Sequence, residues 1–200
     1  MDYKGFFSFA AVLLTFVGFF PYIRDILHNR VRPHVFSWVI WGTTTCVIFF
    51  AQLQGGGGLG AWPIGISALI TLYVTILAFQ KKGDLSITRL DWFFLLSALA
   101  SLPLWFLTAN PLWAVLLLTF IDLLGFGPTF RKSYAFPYEE QPGFFAIFML
   151  RNLLVVAALE HYSWTTVTFP AAVAVVCLAL IIMILLRRSV VMPPEYKSRG

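Results

Sequence analysis

Charge is what this sequence has least of. Only 12% of its 200 residues are Asp, Glu, Lys or Arg, while 60% are hydrophobic, and the mean hydropathy is +0.83. A water-soluble domain carries roughly 25% charged and roughly 45–50% apolar residues. The composition therefore excludes a water-soluble globular enzyme and a disordered chain. Net charge is +5, yet the basic residues stand singly or in pairs and form no stripe that could track a phosphate backbone. No nucleic-acid partner is expected.

Cysteine and histidine are scarce as well. Cys46 and Cys177 both fall inside apolar runs, too few and wrongly spaced for a disulfide framework, a zinc site or a thiol oxidase. They read as inert buried thiols. His28, His34 and His161 lie in or near loops without ligand spacing, and the last apolar run has no lysine that could hold retinal. Gly55–Gly58 lacks both a preceding strand and a following Lys-Ser/Thr, so it reads as a flexible turn, not a phosphate cradle. No nucleophile–base set stands out. The expectation is a protein that is not an enzyme, with no cofactor and no metal.

What the chain has in quantity is long apolar runs. Seven are bounded by Gly, Pro or charge: 5–24, 34–53, 60–80, 91–108, 111–130, 142–160 and 164–186. Each approaches the roughly 20 residues needed to cross a bilayer as a helix. Trp62, Trp92, Trp113, Tyr162 and Trp164 recur near their ends, where interfacial anchors belong. The first run leads into Pro21-Tyr-Ile-Arg24 without a small-residue cleavage pattern, which argues against a signal peptide. The expected class is an all-α membrane protein with a lipid bilayer as its main partner.

The few charges then set a direction. Twelve of the fourteen basic residues fall in alternate connections or the tail: Arg24, Arg30, Arg32, Lys81, Lys82, Arg89, Arg131, Lys132, Arg187, Arg188, Lys197 and Arg199. The other connections carry none. By the positive-inside bias the N-terminus is expected outside and the C-terminus in the cytoplasm. The tail after Arg188, with Pro193-Pro194, reads as a short disordered cytoplasmic end.

The two halves also resemble one another. Gly18-Phe-Phe-Pro21-Tyr-Ile-Arg24 matches Gly125-Phe-Gly-Pro128-Thr-Phe-Arg131 at an offset of 107, and Trp62-Pro63 matches Phe169-Pro170 at the same offset. Gln80-Lys81 and Arg187-Arg188 close the copies, again 107 apart. The expected organisation is a first three-helix repeat over 1–82, a linker transmembrane helix over 83–109, a second three-helix repeat over 110–188 and a tail over 189–200. Three spans reverse the chain and the linker restores it, so the copies run parallel, a plan used by transporters.

On these residues the chain resembles the PQ-loop, SWEET and PnuC-type superfamily of heptahelical transporters. Pro21 and Pro128 stand where the family has its marked proline, followed here by Tyr22 and Thr129 instead of glutamine, and Arg32-Pro-His-Val-Phe-Ser-Trp38 is similar to its basic loop before span two. The resemblance implies a 3+1+3 fold and alternating-access transport of a small polar solute, with a receptor role in a minority of members. Sugar-moving members use asparagines in spans three and seven. This chain offers Ser67, Thr71 and Tyr73, and Thr166 and Thr168, which argues against a sugar. An intramembrane acid in the second half of related transporters makes proton coupling one option.

Candidate site residues follow from cost and depth. A charge at bilayer depth costs about 2.5–3.5 kcal/mol on insertion scales, so it faces the bundle interior and seeks a partner. Asp122 is nine residues before Arg131, and Arg151 nine after Pro142. At about 1.5 Å per residue both lie about 13–14 Å from the basic end. Either they bind the solute or they form a permanent ion pair. Asn152 beside them needs partners for its amide. Trp41, one turn deeper than Trp38, and Thr44 suit a planar or amphipathic ligand, with Tyr73 on span three; Trp38 reads as an interfacial anchor. Pro21 and Pro128, with Gly18 and Gly125, are candidate hinges. The solute, and whether copies associate as a homo-oligomer, stay open. The alternative function is a non-transporting heptahelical receptor or accessory protein of the same fold.

Overall fold

The computed structural model of the chain describes residues 3–30, 33–81, 89–138 and 140–191. Arg32, Lys82, Lys197, Arg199 and the Pro193-Pro194 tail lie outside the described residues. The described residues are helical: α1 (Tyr3–Leu27), α2 (Val35–Gln54), α3 (Trp62–Gln80), α4 (Arg89–Thr108), α5 (Pro111–Gly125), α6 (Gly127–Ala135), α7 (Pro142–Ala158) and α8 (Trp164–Val190). A 3-10 turn, Gly58–Ala61, leads into α3.

The helix ends have local causes. Asn110 accepts a hydrogen bond from the Leu112 N–H at 2.9 Å and Pro111 opens α5, since proline needs no donor at a first turn. Ser163 and Thr166 cap α8 reciprocally. His34 accepts from the Ser37 N–H at the start of α2. The fifth expected span is broken in two at Phe126, whose N–H turns back to Leu123 O at 3.1 Å. Glycine costs about 1 kcal/mol in a helix interior and proline about 3, and Gly125, Gly127 and Pro128 fall together there. In α1, by contrast, the helix runs six residues beyond Pro21 without interruption.

Five segments are long and apolar enough to cross a membrane: α1, α2, α3 with its 3-10 turn, α5 with α6, and α8. The other two expected spans are shorter apolar helices, Trp92–Thr108 and Pro142–Ala158. Proline sets the start of α7, and the extended Leu159 ends it. At about 1.5 Å per residue a helix of that length reaches about 25 Å, just short of a hydrocarbon core of about 30 Å.

Seven helix pairs carry most of the packing, among them α4 on α5. α1 packs on α3 and α7, α2 on α3 and α5, and α8 on α5 and α7. α4 lies against α5 and α2, and α6 against α8. The outer surface is unlike that of a soluble protein. Phe6, Phe9, Phe16 and Phe20 of α1 and Leu178, Ile182 and Leu185 of α8 are exposed, whereas Thr15, Gln52, Ser67, Arg151 and Asn152 are buried. Large apolar side chains on the outside, around an interior that mixes apolar clusters with buried polar groups, are what a bilayer selects. Trp62, Trp92, Trp113, Tyr162 and Trp164 are all exposed near helix ends. Trp38 departs from the anchor reading: it is buried, stacked on Tyr22 with centroids 5.2 Å apart.

Candidate functional site

A cavity of about 380 Å³ lies among α1, α2, α3, α5, α6, α7 and α8. Its lining runs from Ile64, Ser67 and Phe169 past Asp122 and Arg151 to Thr129 and Glu140 beside the α6–α7 connection. That connection belongs to the end of the bundle carrying Arg24, Lys81, Arg131 and Arg187, the basic end. Pockets of this size suit a small organic ligand.

Arg151 forms much of the floor. Its Nε donates to Thr15 Oγ1 at 3.1 Å and its Nη1 to Asn152 Oδ1 at 3.0 Å. Its Nη2 donates to Pro63 O at 2.7 Å and to Ser67 Oγ at 2.5 Å. One guanidinium thus ties α7 to α1 and α3. All these acceptors are neutral. The five-donor fork of arginine is the side chain best able to satisfy so many at once. Asn152 in turn donates from Nδ2 to Phe148 O at 2.8 Å, so its amide acts on both sides.

Asp122 is not the partner of Arg151. Among the described residues the ion pairs join Asp25 to Arg24 and Arg30, and no hydrogen bond or ion pair reaches Asp122. Its half-buried carboxyl lines the cavity from α5, as Cys177 does from α8. The ion pair that shared depth suggested is therefore not formed: the helix rotation of α7 directs Arg151 into the α1–α3 interface.

The end opposite the basic one is closed by bonds that link distant parts of the chain. Ser8 Oγ donates to Leu59 O at 2.7 Å, and the Leu59 N–H donates to Glu160 Oε1 at 3.1 Å. The Glu160 N–H donates to Gly57 O at 3.2 Å. Buried Gln52 donates from Nε2 to Thr166 O at 2.8 Å. The backbones touch as well, since a Cβ on Gly60 would stand 2.7 Å from Leu159 N. Bonds at the basic end stay within one half of the chain: Lys81 Nζ to Leu27 O, Arg187 Nε to Tyr134 O, and Arg188 to Pro137 O and Glu140 O.

Of the residues singled out in the sequence, Trp41, Asp122, Arg151, Asn152 and Gly125 line the cavity. Thr44 does not: it is buried and bonds Trp41 O at 3.0 Å, while Thr45, one residue on, faces the cavity. Tyr73 is also outside it, exposed on α3, and Ser67 and Thr71 take its place. The reason is rotation: one residue turns a helix by about 100° and two by about 200°. Gly18 marks a close approach, for a Cβ there would lie 2.8 Å from the Phe148 ring. Pro21 sits inside the unbroken α1, and Pro128 in the first turn of α6.

Several lining residues were not candidates for the site on sequence grounds. Thr45, Thr129 and Cys177 are ordinary in composition and gain meaning only from azimuth. Trp38 and Phe148 were visible as aromatics among many. No family model, no curated protein and no solved structure matches the chain.

Proposed function

We propose that this protein is a membrane transporter of a small polar or amphipathic solute, working by alternating access between two three-helix units, α1–α3 and α5–α8, joined by α4. The repeat reading is supported by reciprocal packing. In each unit the third span lies against the other two: α3 on α1 and α2, α8 on α5 and α7. Across the units, α1 meets α7 and α2 meets α5, the same pairing seen from either side. Such reciprocity is what a two-fold axis along the membrane normal requires.

The observation that carries the transport reading is the cavity between the units. It is bordered by both, contains an acid without a protein partner, and reaches toward the basic end. At the other end the units are bonded to each other through Gln52 and Thr166, Leu59 and Glu160, and Glu160 and Gly57. With the positive-inside orientation this corresponds to an inward-facing state. A receptor with a fixed core would pair its midplane charges; here Asp122 stays unpaired among the described residues.

Reconstitution into lipid vesicles tests this. Labelled solutes spanning amino acids, vitamins and sugars are screened by thermal shift, and those that stabilise the protein are tested for counterflow. Saturable uptake stimulated by unlabelled solute on the far side is the expected result. A folded protein that is stabilised by none and moves none would refute transport. Uptake indifferent to an imposed pH gradient would separately remove proton coupling.

A further inference from the structure

The cavity bears on the charge of what it holds. Five rings form one arc along its wall. Trp41 meets Trp38 with centroids 5.2 Å apart, Trp38 meets Phe19 at 6.3 Å, Phe19 meets Phe148 at 5.8 Å, and Phe148 meets Phe144 at 4.8 Å. The arc crosses from α2 over α1 to α7, and every ring in it lines the cavity. From α5 the same cavity receives Asp122, which has no protein partner among the described residues.

Besides Glu140 at the basic end, the cavity is lined by two charged side chains at mid-depth, Asp122 and Arg151, and these two are not equivalent. Arg151 is 4% exposed and already donates four hydrogen bonds, to Thr15, Asn152, Pro63 and Ser67. A guanidinium has five N–H donors, so at most one remains, too few for the two-pronged grip by which arginine recognises a carboxylate. Asp122 is uncommitted. A carboxylate at this depth without a counter-charge is costly, and a cationic ligand relieves that cost. Aromatic faces carry negative quadrupole potential and attract cations most strongly where water is excluded. The free acid and the arc of rings favour the same sign of charge.

We propose that the cavity binds an organic cation, an ammonium group with apolar substituents, the charged group at Asp122 and the substituents against the arc. That the cation is also carried across the membrane rests on the transporter reading; that it binds does not. The available volume of about 380 Å³ accommodates an ammonium carrying a single aromatic or branched substituent.

Calorimetric titration of the full chain in lipid nanodiscs tests the assignment with probes matched in shape. Choline is expected to bind at least tenfold more tightly than its uncharged isostere 3,3-dimethylbutan-1-ol, and benzyltrimethylammonium more tightly than choline. Asp122→Asn is expected to bring choline down to the level of the isostere. Equal binding of the two by the unmodified protein would overturn the proposal. So would tighter binding of glycine betaine, whose added carboxylate would then be engaging Arg151, or a charge preference that survives in Asp122→Asn. If that variant does not fold, the isostere and betaine comparisons on the unmodified protein still decide. Charge-selective binding without counterflow of labelled choline would keep the cation site and remove transport. Counterflow of a neutral solute with no charge preference would do the opposite.

Discussion

A single side chain, Arg151, organises the floor of the cavity, and its replacement separates charge from geometry. Lysine keeps the charge but offers three donors from one point, so it cannot span Thr15 Oγ1, Asn152 Oδ1, Pro63 O and Ser67 Oγ together. Hydrogen bonds to charged groups are worth about 1.5–3 kcal/mol each. Arg151→Lys is therefore expected to cost about 2 kcal/mol, which for a chain of this length is roughly 4–8 °C in melting temperature. Thermal unfolding in detergent, followed by intrinsic tryptophan fluorescence, checks it; an unchanged midpoint would show the network to be dispensable. Much of this was readable one residue at a time. Arg151, Asn152 and Asp122 stand out because charges and amides are rare in apolar runs. Their partners did not stand out, because depth along a helix is a count of residues while azimuth depends on how neighbouring helices are rotated. Thr44 and Thr45 differ by one position and only the second lines the cavity.

Among the elements, the segment from Gly55 to Trp62 is the one that the proposed cycle must move. Its composition suggests a flexible turn, yet it is fastened to α1 through Ser8 and to the α7–α8 connection through Glu160. Gly60 lies against the Leu159 backbone so closely that a Cβ would come within 2.7 Å of its nitrogen. Backbone atoms cannot rotate away as a side chain can. Gly60→Ala is therefore expected to part α3 from the end of α7 and open this end. In a background with Cys46 and Cys177 replaced by alanine, a cysteine placed at Ile64, buried at the cavity's far end, reports the change. Labelling by a membrane-impermeant thiol reagent from that side should rise several-fold with Gly60→Ala. A cysteine at Thr129, toward the basic end, should label from the other side in either background. Labelling of Ile64→Cys that does not respond would show that the segment is not a gate. The prolines behave unequally as elements: Pro21 is carried within α1, while Gly125, Gly127 and Pro128 together divide the fifth span. Bending capacity is thus concentrated beside Asp122, three residues before Gly125.

For the molecule as a whole, orientation is the property most open to a direct check. On the positive-inside bias the charge asymmetry predicts a cytoplasmic C-terminus and an outside N-terminus. Expressed in a bacterial host, a fluorescent protein fused at the C-terminus should mature and fluoresce, while an N-terminal epitope should be accessible in intact spheroplasts. The reverse pattern would invert the proposed inward-facing assignment. The sequence by itself determined an all-helical chain of long apolar spans, the ends of most helices to within a few residues, and the uneven placing of charge along the chain. These follow from local quantities: apolar run length, proline and glycine punctuation, and the cost of burying charge. Only the tertiary structure decided that Arg151 turns to Thr15, Pro63 and Ser67 instead of Asp122, that Trp38 is buried, and that α1 meets α7 while α2 meets α5. Those are relations between helices, fixed by rotation and packing of whole side-chain surfaces. No residue count along one chain segment contains them.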